Sequence, residues 1–117
     1  DGFAAAASSV AFVGDWNLPT GTYPNMTINT IVENSTVTVS GYNFTKNDNY
    51  TVYMGAIGTQ GVGGVYAGDK ATDASGTFTD TFNIPASLAG HSQIAIRMVS
   101  KNTVYYTYNW FFNSTNP

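Results

Sequence analysis

Side chains able to perform acid–base or nucleophilic chemistry are rare in this chain. It has one histidine, no cysteine and seven acidic residues among 117. His91 lies in a Gly-His-Ser turn with no acidic residue close in sequence, whereas a Ser-His-Asp arrangement needs three converging groups. A lone histidine without cysteines also falls short of the protein ligands that a zinc site needs. The sequence therefore predicts a protein that is not an enzyme and holds no cofactor.

A second chemical candidate is a calcium site in the polar segment GDKATDASG, residues 68–76. Asp69, Asp73 and Ser75 carry oxygen atoms of the kind that calcium prefers. The EF-hand spacing is absent, however, and Lys70 puts a positive charge inside the segment. We therefore interpret the segment as an Asx-rich hairpin turn and predict no metal site.

Aromatic residues make up 15% of the chain and are its most abundant groups with binding potential. Tyrosine and tryptophan on an exposed strand can stack on sugars or on a partner surface. The alternative is that most of them line the core or an interface. The candidate aromatic ligand surface consists of Tyr42, Tyr53, Tyr66 and Tyr105. Arg97, the sole arginine, is expected to pair with a carboxylate.

Five Asn-x-Ser/Thr sequences are candidate glycosylation sites. This motif accepts N-linked glycans on exposed segments of secreted proteins. The alternative is coincidence in a chain rich in Asn, Ser and Thr. The five asparagines are Asn25, Asn34, Asn43, Asn49 and Asn113.

Charge and hydropathy narrow the range of partners. Charged residues are only 9% of the chain, and its net charge is −3. The four basic residues are scattered, which argues against nucleic acid as a partner because phosphate binding needs a basic cluster. No apolar run approaches the roughly 20 residues of a transmembrane helix. A neutral surface rich in hydroxyl groups, and a first residue other than Met, favour a processed protein that is secreted or on the cell surface.

These groups must be positioned by β-strands, because apolar residues recur with a period of two from Asn25 to Phe112. Val37 and Val39, for example, alternate with threonine and serine. We count about seven strands separated by Gly, Asn and Pro turns, a spacing typical of a sandwich or barrel. Five glycines within residues 55–64 predict an irregular loop. Leu88, in the crossover after Pro85, is expected to plug the end of the core.

Residues 27–113 resemble a module of secreted and surface-anchored proteins of filamentous bacteria. The resemblance lies in Met54-Gly55, residues 58–61, 76–78 and 82–88, and in the final Ile94–Arg97, Tyr106 and Tyr108–Phe111. It implies an immunoglobulin-like β-sandwich outside the cell, with no activity attached. We accordingly expect an all-β, immunoglobulin-like Greek-key sandwich of about seven strands plus an N-terminal extension strand.

The first thirteen residues, DGFAAAASSVAFV, depart from the linker that usually leads members of this family. They are apolar and almost uncharged, and we expect them to be surplus to a complete β-domain. The predicted organisation is an apolar donor-strand segment (1–13), a Pro/Gly linker (14–24), the sandwich (25–113) and a short tail (114–117).

Two functions fit this organisation. In the favoured one, the protein is a structural subunit of an extracellular filament, pilus-like or sheath polymer, and its partners are other copies of itself joined head to tail. The N-terminal segment of one copy would complete the sheet of the next by strand addition. The alternative is a monomeric adhesion or carbohydrate-binding module with its aromatics exposed. The candidate polymer interface consists of Phe3, Ala5, Ala7, Val10, Phe12 and Val13.

Overall fold

Buried residues alternate with more exposed ones along much of the strands of this protein. The computed structural model describes residues 7–10 and 24–115. In Thr36–Tyr42, for example, Val37 and Val39 are fully buried, whereas Thr36 and Thr38 are half-buried. Within the described residues the strands are β1 (Ala7–Val10), β2 (Asn25–Val32), β3 (Thr36–Tyr42), β4 (Asn49–Ala56), β5 (Val65–Ala71), β6 (Phe78–Asn83), β7 (Gln93–Ser100) and β8 (Tyr105–Phe112).

These strands form two antiparallel sheets. One has five strands in the order β1-β8-β7-β4-β5, and the other has three in the order β2-β3-β6. Each paired neighbour runs antiparallel. The prediction of an all-β sandwich is therefore confirmed at the level of two antiparallel sheets, with seven strands from Asn25 to Phe112.

The core lies between the two sheets. It takes the inward residues of both, and Phe44 joins it with its ring 4.6 Å from that of Tyr50 and 4.8 Å from that of Phe78. A short 3₁₀ turn, Ala86–Leu88, carries the chain from β6 to β7, and its Leu88 is buried in the core as predicted. The buried aliphatic members include Met26, Ile31, Val37, Val39, Val52, Met54, Ile94, Ile96 and Met98.

A buried carboxylate, Asp48, ties the β3–β4 connection to the end of β7 and the β7–β8 connection at one end of the sandwich. It accepts hydrogen bonds from the hydroxyls of Thr45 (2.5 Å) and Ser100 (2.6 Å) and from the Asn102 amide (2.5 Å). The side chain is only 4% exposed. Burial opposes ionisation and would raise the pKa of Asp48, but these bonds and the Asn49 backbone N–H outweigh it and lower that pKa. The charge therefore acts as a structural clamp.

Candidate functional site

The N-terminal strand occupies one edge of the five-stranded sheet. β1 pairs antiparallel with β8, with Ala7 opposite Tyr108 and Val10 opposite Tyr105. Of the predicted polymer-interface residues, Ala7 and Val10 belong to this strand. The other four, Phe3, Ala5, Phe12 and Val13, lie outside the described residues.

Both sheets of the sandwich are already formed by the other seven strands, and β1 adds one strand at an edge. The seven strands from β2 to β8 supply all of the three-stranded sheet and four strands of the other. β8 lies beside β2 at this side of the sandwich, since these two strands contact each other across the sheets. β1 therefore covers the β8 edge, whose N–H and C=O groups an edge strand otherwise leaves available for pairing.

The outer face of the five-stranded sheet carries a row of aromatic residues from β8. Tyr106, Tyr108 and Trp110 are half-buried, and Phe112 is 40% exposed. In register beside them lie Arg97 opposite Tyr108 and Ala95 opposite Trp110. Together with Tyr53 and Tyr66 on β4 and β5, these residues make up what we call the aromatic face.

Arg97 lies at the centre of this face. Its guanidinium carbon is 4.1 Å from the centroid of the Tyr106 ring, a cation–π arrangement. Its Nη1 also donates a 3.4 Å hydrogen bond to the Gln60 carbonyl. The expected carboxylate partner is not found among residues 24–115, because the ion pairs there are Lys70–Asp80 and Lys101–Asp69. A flat aromatic neighbour replaces the anion.

The glycine-rich loop folds over this face, as an irregular connection between β4 and β5. Gly61 packs against Arg97 so closely that a Cβ there would lie 2.5 Å from the Arg97 Cβ. Beside this contact is an open cavity of about 250 Å³. It is lined by Ile57, Gly58, Gln60, Ala95, Tyr108, Asn109 and Trp110.

The far end of the aromatic face is polar. Tyr66 is 58% exposed, and its hydroxyl donates a 2.5 Å hydrogen bond to Asp69. Lys101 Nζ is 2.9 Å from the other oxygen of that carboxylate. The Tyr66 hydroxyl and then Lys101 lower the pKa of Asp69, and the same bond raises the pKa of Tyr66. The face therefore offers flat rings at one end and charged hydrogen-bonding groups at the other.

The four predicted surface tyrosines do not lie together. Tyr53 and Tyr66 are register neighbours on the aromatic face. Tyr42 is exposed at the end of β3, in the other sheet. Tyr105 is wrong as a surface residue, because it is only 2% exposed and lies on the inward side of β8. Tyr106, Tyr108 and Trp110 take its place, and their alternation in the last strand was the sequence signal for them.

The candidate glycosylation sites divide by exposure. Asn25, Asn34, Asn43 and Asn49 are exposed. Asn113 is only 6% exposed, and its amide donates to the Asn34 side chain (2.7 Å) and to the His91 carbonyl (3.0 Å). Asn113 is therefore held in a structural network at the end of the sandwich.

The residues considered for catalysis or calcium binding do not form a common site in the described structure. His91 is exposed in its turn, and Asp73 caps its own turn by accepting from the Ser75 N–H and hydroxyl. Asp69 is engaged with Tyr66 and Lys101. Within the part of the chain that the structure describes, no three His, Cys, Asp or Glu residues group together as metal ligands.

The fold and its exposed faces define a two-sheet antiparallel β-sandwich with an added edge strand. No family model and no curated protein matches the chain. Among solved structures it is similar to macromomycin, at 18% identity and a TM-score of 0.50, over 76% of this chain and 98% of that one. This likeness concerns the fold alone.

Proposed function

We propose that this protein is a structural subunit of an extracellular filament, pilus-like or sheath polymer. The N-terminal segment of one copy pairs with β8 of the next copy, and the polymer is secreted or displayed at the cell surface. In the same proposal the sandwich is an immunoglobulin-like Greek key. The strand order supports this topology, because β3 lies between β2 and β6, and β4 lies between β7 and β5.

The observation that carries the proposal is the placement of β1 on the β8 edge. Pairing at that edge uses main-chain groups, so a strand of identical sequence from another copy would make the same hydrogen bonds. Exchange of an identical element between copies costs little for this reason. When each copy donates to the next without closing a ring, the product is an open polymer.

The connection between β1 and β2 is long enough for such an exchange. Residues 11–24 separate Val10 from Asn25 and contain Pro19 and Pro24. Fourteen residues reach up to about 46 Å when extended, compared with 42 Å for the longest dimension of the molecule. A connection within one domain is commonly about 2–6 residues. The extra length favours pairing with a neighbour.

A disulfide trap tests this pairing in the full chain, which has no cysteine of its own. Ser8 and Thr107 are register partners, so we expect the double variant Ser8→Cys/Thr107→Cys to form a disulfide on mild oxidation. A ladder of covalent oligomers on a non-reducing gel supports the polymer. A monomer band that migrates faster than its reduced form contradicts it, because the strand then pairs within its own chain.

The matched control combines Ser8→Cys with Thr79→Cys. Thr79 lies on β6 in the other sheet, so this pair should give neither a ladder nor a compact monomer. Removal of residues 1–13 should reduce the particle size measured by light scattering to that of a monomer. A synthetic peptide of residues 1–13 should then raise the melting temperature of the shortened chain.

A second candidate, a carbohydrate-binding or adhesion module, is favoured by the aromatic face. Trp110 and Tyr108 border a cavity about 250 Å³ in volume, and Tyr66, Asp69 and Lys101 add hydrogen-bonding groups. Flat rings beside polar groups suit a sugar, which has both apolar faces and hydroxyl edges. On a glycan array, Trp110→Ala should abolish binding while Tyr42→Ala, on the other sheet, leaves it intact. Absence of any wild-type signal removes this candidate.

A further inference from the structure

Gln60, in the glycine-rich loop, has an unusual backbone conformation. Its φ angle is +59°, in the left-handed region that residues with a Cβ rarely adopt. The other non-glycine residues with positive φ in the described chain, Asn34, Asn43 and Asn47, are all asparagines. Asparagine tolerates this conformation because its short amide can bond locally. Glutamine lacks that advantage, so its presence here lowers the stability of the loop.

Glycine would relieve this strain, and the same loop uses glycine at its other positions with positive φ. Gly58, Gly61 and Gly63 have φ angles of +90°, +79° and +72°. Position 60 instead carries a long amide side chain, and that residue is exposed. Strained residues of this kind cluster at functional sites. The conformation therefore indicates that the Gln60 side chain has a use that glycine could not supply.

The loop holds Gln60 in a fixed position. The Thr59 hydroxyl donates to the Ala56 carbonyl (2.7 Å) and accepts from the Gly61 N–H (3.1 Å). Arg97 Nη1 donates to the carbonyl of Gln60 itself, 3.4 Å away. The side-chain amide, with two N–H donors and an acceptor oxygen, is thereby presented at the cavity that the loop forms with β8.

This cavity suits one small neutral ring. Its volume is about 250 Å³, below the roughly 300–1,000 Å³ of pockets that hold drug-sized ligands. Its seven lining residues carry no charge, so an ion would lose hydration without gaining a counter-charge from them. Tyr108 and Trp110 supply aromatic rings, and the Trp110 indole packs edge-to-face on Phe112, 5.0 Å away. Gln60 supplies a polar group beside these rings.

We propose that the cavity binds a single neutral pyranose ring of a glycan, and that Gln60 recognises its hydroxyl groups. The apolar face of the sugar lies against Trp110. The Gln60 amide donates to one hydroxyl oxygen and accepts from a neighbouring hydroxyl. A wholly apolar ring would also stack on Trp110, but it would give the amide no role. The inference rests on the carbohydrate-binding candidate function, and it does not depend on strand exchange by β1.

Two substitutions of Gln60 separate the amide from the backbone strain. Gln60→Ala removes the amide and keeps a Cβ in the left-handed region, whereas Gln60→Gly removes both. Saturation-transfer NMR on the full chain, with the methyl pyranosides of glucose, galactose and mannose, measures binding. We expect both variants to raise the Kd of the bound sugar by about tenfold. Gln60→Gly should also melt about 2–5 °C above Gln60→Ala, because it alone relieves the strain.

Two controls accompany these variants. Asn83→Ala removes an exposed amide from β6 in the other sheet, and it should leave the Kd unchanged. Methyl glucuronide has the same ring with a negative charge, and it should bind the wild type at least about fivefold more weakly than the neutral sugar, because the lining offers no counter-charge.

The results distinguish this inference from the candidate function on which it rests. If a sugar binds the wild type and Gln60→Ala equally well, the role of Gln60 is overturned and the carbohydrate-binding function stands. If none of the sugars binds the wild type, both are overturned. Binding of methyl glucuronide as tight as that of the neutral sugars overturns the neutral ligand class. Equal melting temperatures for Gln60→Ala and Gln60→Gly overturn the argument from strain.

Discussion

At the scale of single residues, the most consequential group in the described structure is the buried carboxylate of Asp48. It accepts from Thr45, Ser100, Asn102 and the Asn49 backbone at once, with no basic residue among these partners. A buried charge is tolerated when hydrogen bonds replace the water that it lost. The loops at this end of the sandwich are therefore held by one ionised side chain.

Substitution of Asp48 should destabilise the fold in a pH-dependent way. We expect Asp48→Asn to cost about 1–3 kcal/mol in the free energy of unfolding at neutral pH, because the hydroxyl and amide donors lose a charged acceptor. The folded-state pKa is lowered, so the stabilisation is present above the unfolded-state value of about 3.9 and is lost as pH falls through the folded-state pKa. Urea titrations at pH 7 and below pH 3 measure this difference.

The control for Asp48 is Asp73→Asn. The Asp73 pKa is lowered as well, by its bonds to Ser75, but the side chain is exposed in a turn and its loss should have little effect on stability. Equal destabilisation by both variants would show that the hydrogen bonds of buried Asp48 contribute no more to the free energy of unfolding than those of an exposed turn.

At the scale of elements, the loop between β4 and β5 shapes the aromatic face by close packing. Gly61 and Gly63 both have positive φ angles, +79° and +72°, so alanine is strained at either position. They differ in surroundings, because a Cβ at Gly61 meets Arg97 while a Cβ at Gly63 meets nothing within 4 Å. Comparing alanine substitutions at these two glycines therefore distinguishes the cost of backbone strain from the cost of steric contact.

Gly61→Ala should therefore destabilise the protein more than Gly63→Ala. We expect each to cost about 1 kcal/mol for the backbone conformation, and Gly61→Ala to cost a further 1–3 kcal/mol, approximately, for overpacking. Chemical denaturation measures both values. Equal losses would mean that the loop can move away from Arg97 without cost.

The same elements show how far the sequence could predict the fold. Three features were predicted because they depend on local periodicity and turn chemistry. They are the alternation of apolar and polar residues around Val37 and Val39, the glycine-rich loop, and the burial of Leu88 at the end of the core. Asp80 lies on β6, an edge strand of the three-stranded sheet, with a salt bridge to Lys70 at 3.3 Å. A charge of this kind on an edge strand also discourages unwanted pairing.

The candidate site was harder to predict because it depends on which strands become neighbours. The outward side of β8 could be recognised as aromatic, but not which side faced the core, so Tyr105 was assigned to the surface and Tyr106 was not. The Arg97 partner is likewise a product of tertiary packing, since Tyr106 is brought to it by the pairing of β7 with β8. Sequence periodicity carries no information on strand order.

At the scale of the whole molecule, the proposed polymer links stability to concentration. If β1 of one copy completes the sheet of another, the donated strand acts as a ligand of the copy that receives it. Binding to the folded state alone stabilises it by mass action. The melting temperature should therefore rise with protein concentration in the full chain, and this rise should vanish in a chain that lacks residues 1–13.

The interface should also be nearly insensitive to salt. Residues 1–13 contain a single charged side chain, Asp1, and strand addition relies on main-chain hydrogen bonds and apolar contact. Screening at high ionic strength acts chiefly on exposed charges, so polymer length measured by light scattering should be similar in low and high salt. A dissociation that follows ionic strength, with a melting temperature independent of concentration, would instead point to association through surface charges and leave β1 paired within its own domain.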